Sequence, residues 1–193
     1  IVAPYGVPSH PPVHRRQVLK GVWPGIGQSD VVLLWGGGLW EWFDPKAAVE
    51  AMDRVRRKRA EIKLFFMGVK RPNASVTTSY TADETIARAK QLGLLNRWVF
   101  FNNWAPYEDR ENFLLEADLG LNIHKHNLET RFSFRTRIMD YIWAGLPIIT
   151  TEGDPLSDLV KQNRLGLTVP CGSVEVLADA ILQAADAQEA RRS

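Results

Sequence analysis

The residues best suited to chemistry fall in one stretch: Glu129, Ser133, Phe134, Arg135, Arg137 and Asp140, followed by Gly145-Leu-Pro147. Carboxylates can accept hydrogen bonds from sugar hydroxyls, and guanidinium forks match phosphate oxygens, so this composition fits a nucleotide-sugar site. The same two acids could serve a glycoside hydrolase as acid and nucleophile if their carboxyls stood roughly 5 to 9.5 Å apart. The two arginines favour phosphate chemistry over that reading. A plainer alternative makes the acids helix caps and the arginines their partners.

Residues 135–144 read as a short helix that Gly145 ends at a position tolerating a left-handed backbone, and Pro147 opens the next strand without wasting a donor. Helical positions two apart do not share a face, so one of Arg135 and Arg137 should meet the ligand while the other pairs with an acid. Arg135 is the first choice and Arg137 the alternative.

The elements that must position these groups alternate. Strand-like runs occupy 31–35, 62–67, 98–101, 119–123, 146–150 and 167–169. Amphipathic stretches follow them at 45–59, 82–92, 107–116, 135–143, 155–162 and 173–187. Repeated β-α pairs imply an α/β, Rossmann-like three-layer domain with a mainly parallel sheet and helices on both faces. Such sheets bind ligands at the carboxyl ends of their strands, which directs attention to the loops 36–44, 68–71, 102–106 and 124–134.

In the first loop, the amides of Gly37 and Gly38 could approach a diphosphate closely, although no Gly-Lys-[Ser/Thr] or G-x-G-x-x-G pattern accompanies them. A tight turn is the equal alternative. His124 and His126 alternate on an extended segment as a metal pair would, but no third ligand stands nearby, so no metal site is expected. The basic run 54–59 reads as a solvated helix end, with contact to an anionic membrane as the secondary reading.

With 193 residues and 45% hydrophobic composition, the chain can bury one ordinary core, and a formal charge of +2 gives no support to nucleic-acid binding. The single cysteine, Cys171, precludes an internal disulfide and fits a reducing, cytoplasmic compartment. No apolar run reaches the roughly 20 residues needed to span a bilayer.

The run Asp140-Tyr-Ile-Trp-Ala-Gly145-Leu-Pro147-Ile-Ile resembles the E-A-M-A-x-G-x-P-V-V signature of the group 1 (family 4) retaining glycosyltransferases. The resemblance implies one half of a GT-B two-domain fold: a linker at 1–28, whose opening resembles the family's P-F-G hinge, and a C-terminal donor-binding domain at 29–193. An acceptor-binding N-terminal domain is then expected outside this chain. The donor would be a nucleoside-diphosphate sugar, used with retention by front-face attack and without metal or other cofactor. The acceptor would be a glycan or a lipid-linked saccharide, met at the inner face of the membrane if the secondary reading of the basic run holds.

By the same resemblance Asp140 would hold the ribose and Glu129 the donor sugar, with ten residues between them where the family has seven. The loop holding Trp104 would lie against the base. Gly37 and Trp42 stand where the family commonly carries its two phosphate-binding cations. Trp40 and Trp42 would face the N-terminal domain. A non-catalytic nucleotide- or sugar-binding module of the same architecture is the alternative.

Overall fold

A computed structural model describes residues 6–69 and 80–192. The first five residues of the expected linker, and Lys70 and Arg71 of the second strand-end loop, lie outside the described residues. Six strands form one sheet: β1 (Val31–Trp35), β2 (Ile62–Phe66), β3 (Val99–Phe101), β4 (Leu119–Asn122), β5 (Ile148–Thr151) and β6 (Gly166–Val169). All neighbours are parallel, in the order β3-β2-β1-β4-β5-β6. The order reverses between β1 and β4, which opens a crevice at their carboxyl ends.

Residues of β1 alternate between two cores. Val31, Leu33 and Trp35 face α1 (Pro45–Lys58), α2 (Tyr80–Gln91) and α7 (Val174–Arg192), while Val32 and Leu34 face α3 (Arg110–Glu116), α5 (Thr136–Trp143) and α6 (Pro155–Gln162). A sheet buried on both faces needs apolar residues at every position, which is why Val31–Trp35 reads as an unbroken apolar run. A five-residue helix, α4 (Leu128–Phe132), follows β4. Among the described residues no helix is long and apolar enough to cross a membrane.

The helices begin where the chain supplies caps. Asp44 accepts from Ala47 N ahead of Pro45, and Asp154 accepts from Leu156 N and Ser157 N ahead of Pro155. Each cap satisfies donors that the first helical turn leaves unpaired. Gly145 closes α5 with a φ of 68°, as its position in the sequence requires.

Two features go beyond the sequence reading. The basic end of α1 is knitted to acids instead of standing free: Arg54 pairs with Glu175, Arg59 with Asp186 and Glu189 of α7, and Arg56 and Arg57 with Asp53. Residues 13–20 are fastened to α3, where Glu116 accepts from the amides of Val18, Leu19 and Lys20 at 2.8, 2.8 and 3.0 Å. Lys20 Nζ reaches the buried Asp118 at 2.6 Å.

Tyr141 of α5 seats this helix over the crevice. Its ring lies on Gly120 of β4 and Gly36 after β1, and its hydroxyl accepts from Gly36 N at 2.8 Å. The hydroxyl proton lies within reach of two carbonyls, those of Leu34 at 2.9 Å and Leu121 at 3.0 Å. A Cβ at Gly120 would come within 2.5 Å of the ring, so Gly120→Ala should destabilise the domain by about 1 to 3 kcal/mol through overpacking. Urea unfolding checks this, and an unchanged midpoint would show that α5 can lift off the sheet at little cost.

Candidate functional site

The loop after β1 runs over the crevice and then pairs with the end of β4. Asp44 N donates to Ile123 O at 3.0 Å and Lys125 N to Trp42 O at 3.0 Å, which brings Phe43 beside His124. A cleft of about 310 Å³ results, lined by Gly36, Gly37, Gly38, Trp40, Trp42 and Phe43 on one side and Glu129, Ser133, Phe134, Arg135, Thr136, Arg137 and Asp140 on the other. Of the residues singled out from sequence, the fold therefore brings together Gly37, Gly38, Glu129, Ser133, Phe134, Arg135, Arg137 and Asp140. Trp104 is not among them; it lies half exposed over Gly68. Trp40 and Trp42 stack on each other with ring centroids 5.4 Å apart and form a wall of the cleft.

The two arginines share Phe43 and differ in everything else. Arg135 forms a bidentate pair with Glu129, at 3.1 and 2.8 Å, and also reaches Thr130 Oγ1 at 3.2 Å. Its guanidinium carbon lies 5.1 Å from the Phe43 ring centroid. Burial alone would raise the Glu129 carboxyl, but hydrogen bonds from Ser133 and Arg135 hold it below its ordinary pKa. Glu129 is thus a clamped carboxylate at the start of α4, with Asn127 as the cap that accepts from Thr130 N.

Arg137, only 7% exposed, is in no ion pair among the described residues, although Asp140 lies near enough to favour its charge. Its guanidinium carbon sits 3.9 Å from the Phe43 ring centroid and 4.9 Å from that of Trp35. Nη2 donates to Gly38 O at 3.0 Å, and the buried Nη1 has no hydrogen-bond partner. Gly37 leaves room for it, since a Cβ there would lie 3.2 Å from Nη2, a contact the guanidinium would have to yield to. Burial pulls the Arg137 pKa down to about 10, still well above neutrality, so the group remains a cation stabilised by ring faces and one carbonyl.

The glycine loop itself offers fewer donors than its sequence promised. Gly36 N is taken by Tyr141 and Gly37 N by Trp35 O at 3.0 Å. Lys46 pairs with Glu84 at 3.3 Å. Asp140 lines the cleft with its carboxyl raised by burial, an effect opposed by Arg110 and Arg137. His124 is buried with Nε2 3.0 Å from Asp154 Oδ2, whereas His126 is exposed, so the pair does not converge. Among the described residues no three His, Cys, Asp or Glu side chains stand close enough to hold a metal ion.

Sequence reasoning did not assign Phe43, Tyr141 or Arg110 to the site. Phe43 lies in the loop after β1, where its neighbours in sequence do not mark it as a floor for guanidinium groups. Arg110 is not marked by its neighbours in sequence, because its acid, Asp140, and one of its rings, Trp143, come from α5.

The chain matches the family model described as "Glycosyl transferases group 1" over residues 30–187, and it belongs to that family. It is 28% identical over 93 residues to the chitobiosyldiphosphodolichol beta-mannosyltransferase of Yarrowia lipolytica, a match covering 48% of this chain and 19% of that protein. In fold it is similar to Anabaena Alr3699/HepE in complex with UDP-glucose, with a TM-score of 0.67 at 16% identity, covering 84% of this chain and 41% of that one. It is also similar to the C-terminal domain of the group 1 glycosyltransferase LpcC from Francisella tularensis, with a TM-score of 0.64 at 15% identity over 81% of this chain and 75% of that one. The fold is the Rossmann-like layer of the GT-B glycosyltransferases. The chain spans about a fifth of the length of the curated relatives it matches.

A buried cation outside any ion pair is costly to the fold. Arg137→Met, which preserves the stem packing, should leave unfolding free energy within about 1 kcal/mol of wild type, against the roughly 3 to 5 kcal/mol lost when a paired buried charge is broken. Chemical denaturation checks this. A loss in the larger range would make Arg137 a structural strut.

Proposed function

We propose that this chain is the donor-binding domain of a retaining glycosyltransferase that takes a nucleoside-diphosphate sugar. The observation that carries the reading is the cleft at the β1/β4 switch point, where a buried arginine with an unpartnered Nη1 and the Asp140 carboxylate share one wall. Arg137 supplies the charge for the diphosphate, where the sequence favoured Arg135; Arg135 is held by Glu129. Asp140 receives the ribose hydroxyls. Glu129, kept ionised by Arg135 and Ser133, receives hydroxyls of the donor sugar, and Phe134 and the Gly38 region border the same space. Trp104, outside the cleft, serves the base only through its neighbouring loop.

Binding of UDP-glucose by the similar Anabaena protein, and the existence of a matching C-terminal domain as a separate body, support this assignment. So does group 1 membership, which favours transfer over hydrolysis. In the whole enzyme, residues 1–28 link this domain, 29–193, to an acceptor-binding partner domain that meets a glycan or lipid-linked acceptor. The leaving diphosphate develops charge as the glycosidic bond breaks, and a preoriented guanidinium in a site walled by indoles stabilises that charge better than water does. No divalent metal is needed in this scheme. The single Cys171 suits a reducing, cytoplasmic compartment, with the membrane's inner face as the place where a lipid-linked acceptor is met.

Calorimetry with UDP, GDP and ADP, with and without chelator, tests the reading. The chain should bind at least one of them at millimolar concentration or better, unaffected by chelator. Asp140→Asn should weaken that binding by about 1.5 to 3 kcal/mol, the range for a hydrogen bond to a charged group, with little change in melting temperature. Binding to none of the three, or strict dependence on a divalent metal, would refute the assignment.

A further inference from the structure

Asp140 is not alone at the cleft wall. Arg110, the first residue of α3, reaches across to α5 and places Nη1 3.4 Å from Asp140 Oδ1. Both side chains are largely shielded, at 14% and 17% exposure. The guanidinium is held between two rings, 4.6 Å from the centroid of Tyr107 and 5.1 Å from that of Trp143. Trp143 stands three residues after Asp140 on α5, so one helix face presents both the carboxylate and the ring to Arg110. Trp143 is itself fixed by donating from Nε1 to His10 O at 2.7 Å. Arg110 Nε is buried and has no hydrogen-bond partner, so among the described residues the contacts that orient the group are its two rings and Asp140.

From this geometry we propose that Arg110 is the positioning residue of the nucleotide site: clamped by Tyr107 and Trp143, it keeps the Asp140 carboxylate set toward the cleft for the ribose hydroxyls. The proposal rests on the assignment of Asp140 to the ribose. A carboxylate at a cleft wall has two ways to fail as an acceptor. It can rotate away, or it can take up a proton and offer a weaker acceptor to the sugar. Arg110 opposes both, the first through its fixed plane and the second through its charge.

Among the described residues, the charged and titratable groups facing Asp140 are Arg110 from α3 and Arg137 and Tyr141 from its own helix. Arg137 is directed to the glycine loop, where Nη2 meets Gly38 O, and Tyr141 is neutral, its hydroxyl pushed up to about 12 by burial. Arg110 is thus the cation placed directly against the carboxylate. A purely structural arginine, stapling α3 to α5, would have the same location but would not link nucleotide affinity to pH.

The test is the affinity for UDP as a function of pH in the full chain, comparing wild type, Arg110→Met, Arg110→Lys and Asp140→Asn. Loss of a nearby opposite charge raises a carboxyl by about 1 unit or more, so in Arg110→Met the acidic fall in affinity should move up by about one pH unit. The loss relative to wild type should then grow as the pH falls, toward about tenfold where the carboxyl is protonated in both proteins, and stay within about threefold near pH 8. Arg110→Lys should recover most of the wild-type profile, and Asp140→Asn should lose the acidic limb.

Should Arg110→Met fail to fold, the Arg110→Lys and Arg110→Gln variants carry the comparison. A profile in Arg110→Met, or in Arg110→Gln, that is weakened equally at every pH, with a fallen melting temperature, would overturn the proposal in favour of a staple. Undiminished UDP binding by Asp140→Asn would overturn the ribose assignment and this proposal with it. A weakened Asp140→Asn beside an unshifted charge-removing variant would overturn this proposal alone.

Discussion

Everything at the cleft depends on how α5 is seated, and α5 is seated by Tyr141. A parallel sheet whose strand order reverses between β1 and β4 leaves a gap at the carboxyl ends of those strands. The Tyr141 ring fills the space left by two glycines, Gly36 and Gly120, one beside each strand. Its hydroxyl then bonds to backbone from both, accepting from Gly36 N and facing the carbonyls of Leu34 and Leu121. Residues four apart lie on one helix face, so fixing Tyr141 also fixes Arg137 one turn nearer the helix start, at the mouth of the gap. Glycine at 36 and 120 is therefore a packing requirement of the site and not only a turn preference.

The electrostatics follow from that placement. Two buried guanidinium groups lie against the Phe43 ring, which alone could not offset two desolvated charges. The chain resolves this unevenly. Glu129 neutralises Arg135 through two hydrogen bonds, while Arg137 keeps a single carbonyl and an unused Nη1. The resulting cleft has one ion pair, Arg135 with Glu129, and one buried cation, Arg137, outside any ion pair of the described residues. Arg110 does for Asp140 what Glu129 does for Arg135, balancing a wall charge from a neighbouring element.

Much of the fold was legible because parallel strands buried on both faces must be apolar throughout. β1 fell at its expected bounds, as did α6, bounded by Asp154-Pro155 at its start. β5 begins at Ile148, two residues later than expected, since Pro147 has no amide to give to the ladder. The short α4 was unreadable by periodicity, as its Leu128 and Phe132 are exposed; only the Asn127 cap hints at it. The site's residue list was largely legible, because Glu129 to Asp140 are near in sequence. Which arginine stands free was not, because that depends on Phe43, Trp35 and Gly38 arriving from another strand end. Arg110 was beyond reach for the same reason: its acid and its second ring reach it from α5, far along the chain.

The most direct test of the account is a crystal structure of this chain with UDP bound. The account predicts the diphosphate in the cleft between the Gly36–Gly38 loop and α5, with a phosphate oxygen about 3 Å from Arg137 Nη1 and the ribose hydroxyls on Asp140. A nucleotide seated elsewhere would contradict it, for example in the cavity of about 350 Å³ beside Leu146, Leu165 and Leu167 at the amino ends of β5 and β6. So would a nucleotide in the cleft whose diphosphate ignores Arg137.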